Sequence, residues 1–596
     1  MHLASNLIFR DKIVLLLFSF CLFFYLSAPV TQMADSNYSM MVSQSLIDHG
    51  TIRLDKYKIE KHEPFSKPGV VHTGYPYQIE VHQEKLYYHF PNGTSVLSAP
   101  FVALLNIFGL SAVNADGTYN LNGETKIQRI LAALLMSMVA VLFYFTSRVS
   151  LNKTFSLAIA LTGALATPLL STASRAMWAH TWLVLLLSSI IFLVWRGIRE
   201  KKKPNPILLA TLVAWMYFVR PTSSISIIAV SALVLIYFRP IFIAYCLTGL
   251  GWLAGFLIYS QYQFDTFLPS YYTASRLGSE TFFIALAGNA ISPARGLLVY
   301  SPFIFSIVLA LLVFRESVQE KSVVFVSVVA IVLHWLVVSS FPHWWGGHSY
   351  GPRFMTDVIP WILLLAIIAL QAARTSSSDS NQSLSPFFIF RAHVAGAFLL
   401  VAISIFMHIP GAFSGHSAMW NSHPNNIDRN RERIWDWRYP QFLVGLLTPR
   451  ISKDFPDFIS GKPIYLNTPA AEPFLDYGWS GAEPNHRWTE KNNARFGFKA
   501  TAGKPIAVTL KLIPFVVKGH DRQRLRIEAN NEFVSEFVLG EQPLSEFRFV
   551  IPGTFVKATN IIALYIPDAI SPKELKVSLD PRKLGIAVEY IAITEL

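Results

Sequence analysis

The sequence predicts a polytopic α-helical membrane protein followed by a soluble all-β sandwich. Three observations predict it. Hydrophobic residues fill 52% of the 596 positions against 15% charged, and mean hydropathy is +0.40, outside the range of soluble domains. As far as about residue 406, the apolar residues collect into runs that match a hydrocarbon core of about 30 Å, with short polar segments between them. From about Pro410 the pattern changes to short runs of alternating apolar and polar residues broken by Gly, Pro and Asn, the period of half-buried strands. The formal charge of +13 comes mostly from cations flanking apolar runs, so it reports topology and points to no nucleic acid.

Arg10 and Lys12 precede the first apolar run, 13–30, which is long enough to span and reads as an uncleaved first helix, although Leu26-Ser27-Ala28 also resembles a small-residue cleavage site. Further spans are expected at 127–147, 154–171, 178–195, 206–219, 221–237, 241–260, 297–314, 322–340, 357–373 and 386–406, about eleven in all. The segment 94–110 is also apolar, but Pro91, Gly93 and Pro100 interrupt it. Laid along the outer interface, it leaves Arg148 and Lys153, WRGIREKKKPNP (195–206), Arg239, RESVQEK (315–321) and Arg374 on the cytoplasmic side. A crossing would turn WRGIREKKK outward, against the positive-inside bias. As one helix, 206–237 would be roughly 48 Å long, too long for a bilayer, so Arg220-Pro221 is expected to make a hairpin turn. The N-terminus is then cytoplasmic and the C-terminal domain extracytoplasmic.

Three regions follow: a transmembrane domain at 1–406 with an outer loop at 31–126 carrying interfacial helices, a connector at 407–469, and a β-sandwich at 470–596. The strands are expected within IAVTLKLIPFVV (506–517), RLRIEANNEFVSEFVL (524–539), FRFVIPG (547–553), NIIALYI (560–566) and GIAVEYIAITEL (585–596). TSSSDSNQSLS (375–385) reads as a flexible cytoplasmic loop, and no internal repeat is present. Cys21 and Cys246 sit inside apolar runs, where a disulfide framework has no use.

This topology puts five polar features on the outer side: the loop 31–126, SRAMWAH (174–180), Arg220, the loop 261–296, and FPHWWGGHSYGPRF (341–354). Asp35 lies a few residues beyond the first helix, where a carboxylate is desolvated and faces anionic lipid. It or Ser36 is placed to cap the helix in NYSMMVSQSLIDHG that Gly50 ends, and that role is compatible with a chemical one. In the last feature, Gly346, Gly347 and Gly351 permit a tight turn, while Trp344 and Trp345 either stack on a sugar face or sit in the interfacial aromatic belt. His343 and His348 are five apart, not at the i, i+4 spacing that would put two metal ligands on one helix face. No Asp-x-Asp motif occurs, so nothing argues for a sugar-nucleotide donor with a bound divalent ion; no cofactor is expected, and a divalent metal is compatible with the sequence but not indicated by it. DYGWSGAEPNHRWTEKNNARFGF (476–498) resembles the opening of carbohydrate-binding-like β-domains, which implies glycan binding by Trp479 and Trp488; as residues they fit the sandwich core equally well.

A first helix, an acidic residue and then an amphipathic helix resembles the first outer loop of GT-C class glycosyltransferases, the group that includes dolichyl-phosphate-mannose-protein mannosyltransferases and aminoarabinose transferases. YYHFPNGTSVLSAPFVAL (87–104) resembles the Tyr-x-x-Pro-Pro-Gly-type interfacial segment of that class, with Asn92 where a second Pro is often found. FVRPTS (218–223) is similar to its hairpin turn carrying Lys or Arg. SPARGLLVYSP (292–302) and WWGGHSYGPRF (344–354) resemble segments of a bacterial branch with an Arg before the following helix. The resemblance covers about residues 1–406. It implies transfer of a sugar from a polyprenyl-phosphate carrier to a glycan, lipid or protein acceptor on the extracytoplasmic face of the plasma (inner) membrane. In this reading Asp35 is the base that takes the acceptor proton, and Arg220, Arg295 and Arg353 hold the donor phosphate, for which planar guanidinium forks are suited. Each Arg alone also fits a headgroup anchor at a helix end. Trp344, Trp345, His348, Tyr350 and His180 would line the sugar or acceptor site. Two other classes are weighed against the enzyme: a lipid-linked-sugar flippase, which calls for mid-membrane polar residues and repeated halves, and a non-catalytic envelope glycan-binding membrane protein.

Overall fold

A computed structural model describes residues 12–596 apart from 62–73, 274–276, 279, 380–383, 423–425, 429, 445–454, 491, 531, 576, 579 and 581. Arg10 and the middle of the Ser-rich tract at 375–385 lie outside the described residues. The chain divides into a helical unit, Met1–Ser422 with Ile427–Thr448, and a β unit, His423–Asn426 with Pro449–Leu596. The stretch expected to be a connector is therefore divided between the two units.

Among the described residues of the helical unit, six helices are long and apolar enough to cross a membrane: Leu121–Arg148, Ala179–Glu200, Arg239–Phe264, Lys321–Ser339, Arg353–Ser377 and Phe388–Phe413. The remaining apolar runs form shorter helices, such as Lys12–Ser27, Lys153–Leu165, Pro206–Val219 and Phe303–Val313. Prolines account for several of these breaks, because the residue before a proline is pushed out of the helical region. Pro168 follows the end of Lys153–Leu165 and opens a single π-turn, Leu169–Ala173, and Pro302 separates Leu297–Tyr300 from Phe303–Val313.

Polar contacts identify the two ends of the bundle. At one end Arg199 bonds Gln319 at 2.9 Å, the Tyr237 hydroxyl donates to Glu320 at 3.3 Å, and Gln371 bonds Gln319 at 3.3 Å. Asn205 caps the Pro206–Val219 helix there, accepting from the amides of Ile207 and Leu208. That helix ends at Arg220, whose backbone is extended, and Arg220 meets Asp357 at the opposite end. After Pro221 the chain returns along Ser224–Tyr237 to Glu320. The segment 206–237 is thus a hairpin with Arg220 at its tip. The helix Gly93–Ile107 stays at the Arg220 end, beside Ser39–His49: a Cβ on Gly93 would clash with the Phe218 carbonyl, and Ser43 donates to the Ser95 carbonyl at 2.7 Å.

The β unit pairs two antiparallel sheets. We number strands in chain order, with β1 (Ile79–His82) and β2 (Lys85–Tyr88) forming a hairpin in the helical unit. β5 (Asn493–Lys499), β10 (Thr559–Tyr565), β7 (Gln523–Ala529) and β8 (Glu532–Leu539) form one sheet in that order. β3 (Pro463–Tyr465), β11 (Leu584–Glu595), β6 (Ile506–Pro514) and β9 (Ser545–Ile551) form the other, with β4 (Arg487–Glu490) also on β11. Alternate residues such as Leu510, Leu512, Leu525, Ile527, Ile562 and Ile591 point into a shared core, as period-two patterning requires. Trp479 packs against that core and its indole N–H donates to the Arg495 carbonyl at 2.7 Å; Trp488 is half-buried on β4 against His486 and Phe515.

The path to Asp35 begins with two arginines that finish the first helix. Arg175 donates to the carbonyls of Tyr25 and Ala28, and Arg129 to those of Leu26 and Ala28, satisfying acceptors that a helix end leaves open. The chain then runs extended, with Gln32 donating to the carbonyls of Ser171 on the π-turn and Gly411. The expected cap by Asp35 or Ser36 is corrected by the structure. The helix starts only at Ser39, after Tyr38 in the left-handed region at φ +70°, so neither side chain is in capping position. Glu124, fully buried at the start of the Leu121–Arg148 helix, accepts instead from the amides of Tyr38 (3.0 Å) and Met40 (2.8 Å) and from the Gln128 amide nitrogen (3.0 Å). Glu124→Ala strands those buried donors and is expected to cost about 1–3 kcal/mol, seen as a lowered unfolding midpoint and faster hydrogen exchange at Tyr38 and Met40.

Candidate functional site

At the Arg220 end of the bundle a cleft, partly open to solvent, is lined by Asp35, Ser36, Tyr88, Phe90, Thr94, Trp178, Tyr271, Arg220 and Arg353, among others. The Asp35 carboxylate pairs with Arg353 Nη2 and accepts from the Tyr77 hydroxyl at 3.1 Å, while the Tyr88 hydroxyl donates to the Asp35 carbonyl at 2.5 Å. Burial pushes the pKa of Asp35 up, but the charge and hydrogen bond of Arg353, the Tyr77 hydroxyl and the more distant Arg220 outweigh it and hold the carboxyl below its usual range. Burial and the adjacent Asp35 charge raise Tyr77, so it remains a hydroxyl donor. The Asp35 side chain is 29% exposed, whereas Arg353 is nearly enclosed at 8%.

Arg353 is held from three sides. Its Nη1 donates to the Gly346 carbonyl at 3.1 Å, and its guanidinium carbon lies 3.6 Å from the centroid of the Trp178 ring, a close cation–π contact. Among the described residues, four buried polar atoms of cleft residues make no hydrogen bond: Ser36 Oγ, Thr94 Oγ1, Trp178 Nε1 and Arg353 Nε. Such orphans are costly unless a ligand or solvent completes them. Two guanidiniums, an indole N–H and two hydroxyls thus belong to residues that line one cleft, and all are groups able to donate to an oxyanion.

Arg220 enters the cleft from the hairpin tip. Its Nε–H donates to Asp357 Oδ2 at 2.7 Å, and His180 Nδ1 lies 2.6 Å from Asp357 Oδ1. An ionised carboxylate only accepts, so His180 carries its proton on Nδ1. His334 Nε2 donates to the Phe354 carbonyl at 2.9 Å and stands 3.8 Å from Asp357. His180 is therefore fully buried behind the cleft, not exposed within it as expected.

The remaining expected residues are placed elsewhere. Arg295 is corrected as a phosphate ligand: it is buried, outside the cleft lining, and its guanidinium donates to the carbonyls of Ala294, Trp345 and Gly347 and to Gln441 Oε1 and Asn421 Oδ1. Trp344 and Trp345 offer no face to a sugar or a bilayer. Trp344 is 3% exposed and packs so closely on Gly288 that a Cβ there would clash with its ring, and Trp345 is 1% exposed with its indole N–H on Asp428 Oδ1 at 2.8 Å. Tyr350 is buried beside Tyr300 and donates to the Met407 carbonyl at 2.6 Å. His348 sits 3.6 Å from Asp428 and is not among the residues that line the cleft. The Gly-rich motif has a different use. Gly346 and Gly347, at φ +72° and +60°, turn the backbone so that three successive carbonyls, 345 to 347, accept from Arg295 and Arg353. Among the described residues no group of three or more His, Cys, Asp or Glu is arranged to hold a metal.

Sequence reasoning missed Glu124, Asp357, Tyr77 and Trp178. An acidic residue at the start of an apolar run was the available signal for Glu124 and Asp357.

No family model matches the chain, and no curated protein matches it. A match among solved structures is a family GH115 4-O-methyl-α-glucuronidase, BtGH115A, with specificity for decorated arabinogalactans, at 9% identity and a TM-score of 0.17. The alignment covers 70% of this chain and 44% of that one, and a superposition that loose says nothing about chemistry.

Because the fold depresses the pKa of Asp35, its ionisation favours the folded state above the unfolded-chain value of about 3.9, and that contribution is lost as pH falls through the folded value. The stability advantage of wild type over Asp35→Asn is therefore expected to be full at neutral pH and to shrink below about pH 4, measured by denaturant unfolding in matched detergent.

Proposed function

We propose that this protein is a GT-C-type glycosyltransferase that moves a sugar from a polyprenyl-phosphate donor to a hydroxyl of a glycan, lipid or protein acceptor. The reading rests on one observation: a partly exposed carboxylate, Asp35, paired with Arg353 in a cleft that Arg220 also lines. The helical unit spans the plasma (inner) membrane many times, the long helices joined by the shorter apolar ones. The cleft and the β unit face outward, while the basic end at Arg199, Lys201, Lys202 and Lys203 faces the cytoplasm, as the positive-inside bias favours.

In the reaction the acceptor oxygen attacks the anomeric carbon and the bond from that carbon to the phosphate oxygen breaks. Asp35 takes the acceptor proton, and the lipid phosphate leaves with the bonding pair, its growing charge met by Arg353 and Arg220. A displacement of this kind inverts the anomeric centre. Arg353 changes partners during the cycle. With no donor it neutralises Asp35 and makes it a poor base; an arriving phosphate draws the guanidinium away, and the carboxylate regains basicity where the acceptor will lie. The protein thereby keeps its base idle until there is a donor to attack.

Two measurements test this. Transfer of labelled sugar from a panel of polyprenyl-phosphate donors in purified membranes is expected to fall about 10²- to 10⁴-fold in Asp35→Asn with the protein still folded. Survival of activity in that variant would remove Asp35 as the base. The acid limb of kcat, which reports the donor complex, is expected at higher pH than the acid limb of kcat/KM, which reports the free enzyme. Coincident limbs would show that Arg353 never leaves the carboxylate.

A further inference from the structure

We infer that Asp357 is a positioning residue for the donor phosphate: it grips Arg220 from behind so that the terminal nitrogens of that guanidinium face the cleft. The inference rests on the transferase reading for the identity of the anion and names a residue which that reading does not use. Asp357 is 3% exposed and does not line the cleft, whereas Arg220 does. The Arg220 contact is made through Nε at 2.7 Å, and among the described residues neither Nη nitrogen makes a hydrogen bond. Those two nitrogens carry four of the five N–H donors of an arginine. A cation fixed at its inner edge and open at its outer edge is preorganised for a phosphate, and loses little freedom when one binds.

The carboxylate is itself fixed. His180 engages its other oxygen at 2.6 Å, and His334 stands 3.8 Å away. Asp357 also lies four positions beyond Arg353 in the turn Arg353–Val358, so one short segment sets both cations of the cleft. The Phe354 ring of the same turn sits 5.7 Å from the Arg220 guanidinium carbon and 5.4 Å from that of Arg353, spacing two like charges that would otherwise repel. The two carboxylates therefore divide the work. Asp35, at the cleft wall and partly exposed, can release its arginine, whereas Asp357, enclosed and held on both oxygens, keeps its own.

A buried carboxylate beside a cation also fits a purely structural role, and a double-mutant cycle separates the two. Full-length protein in detergent would be titrated with farnesyl phosphate, comparing wild type, Asp357→Asn, Arg220→Gln and the double variant. Asp357→Asn is expected to weaken binding at least tenfold when Arg220 is present and less than twofold in the Arg220→Gln background. Equal loss in both backgrounds would mark Asp357 as structural and overturn the inference, as would unchanged affinity in Asp357→Asn. If Asp357→Asn fails to fold, Asp357→Glu keeps the charge while shifting Arg220; weaker binding at unchanged thermal stability supports the role, and unchanged binding overturns it. Binding by wild type without coupling would remove this inference alone. No binding by wild type would remove the donor site, and this inference with it.

Discussion

The pair between Asp35 and Arg353 joins positions 318 residues apart, and the cleft depends on it. Neither partner could hold its place unaided at the end of an apolar bundle. The chain leading to Asp35 is delivered by Arg129 and Arg175, which close the first helix, and by Gln32, which bonds the π-turn and Gly411. Glu124 then takes over the capping of the next helix, so the Asp35 carboxylate is not used up on backbone amides. On the other side, the carbonyls of residues 345 to 347 are shared between Arg295 and Arg353, so the first arginine braces the loop that aims the second.

The arrangement makes sense as a way of keeping charge where charge is expensive. Enclosing a guanidinium without a counter-charge would cost several kcal/mol, and the cleft avoids this by giving Arg353 and Arg220 one carboxylate each. The four polar atoms left unpaired around the cleft show where compensation stops. In a core they would be a defect; here they belong to residues that line a cleft beside two arginines and a partly exposed carboxylate.

Much of this was legible in the sequence because charge stands out against an apolar background. Asp35, Arg220 and Arg353 each flank a long apolar run, and the structure gathers all three at one cleft. The hairpin at Arg220 followed from helix length, and the strands of the β unit from period-two alternation, with Ile506–Pro514 inside the expected 506–517. What failed was direction. Linear order says that Trp344, Trp345, Tyr350 and Arg295 lie in polar loops, but not which face they turn, and the structure turns them inward. Asp357 and Glu124 escaped notice because their partners come from distant segments, so that their place at the start of an apolar run was the one signal the sequence held. The expected cap at Asp35 failed for a local reason, the left-handed backbone at Tyr38, which no side-chain pattern announces.

The contacts of Arg295 with Asn421 and Gln441 carry an implication for biogenesis. Asn421 and Gln441 lie beyond the final long apolar helix, so the ribosome makes them after every helix that borders the cleft. Until they emerge, the brace on the Gly346-Gly347 turn is incomplete and Arg353 is aimed by a loop still waiting for its last partners. Nascent chains halted before that point would hold every long apolar helix, yet lack a finished cleft.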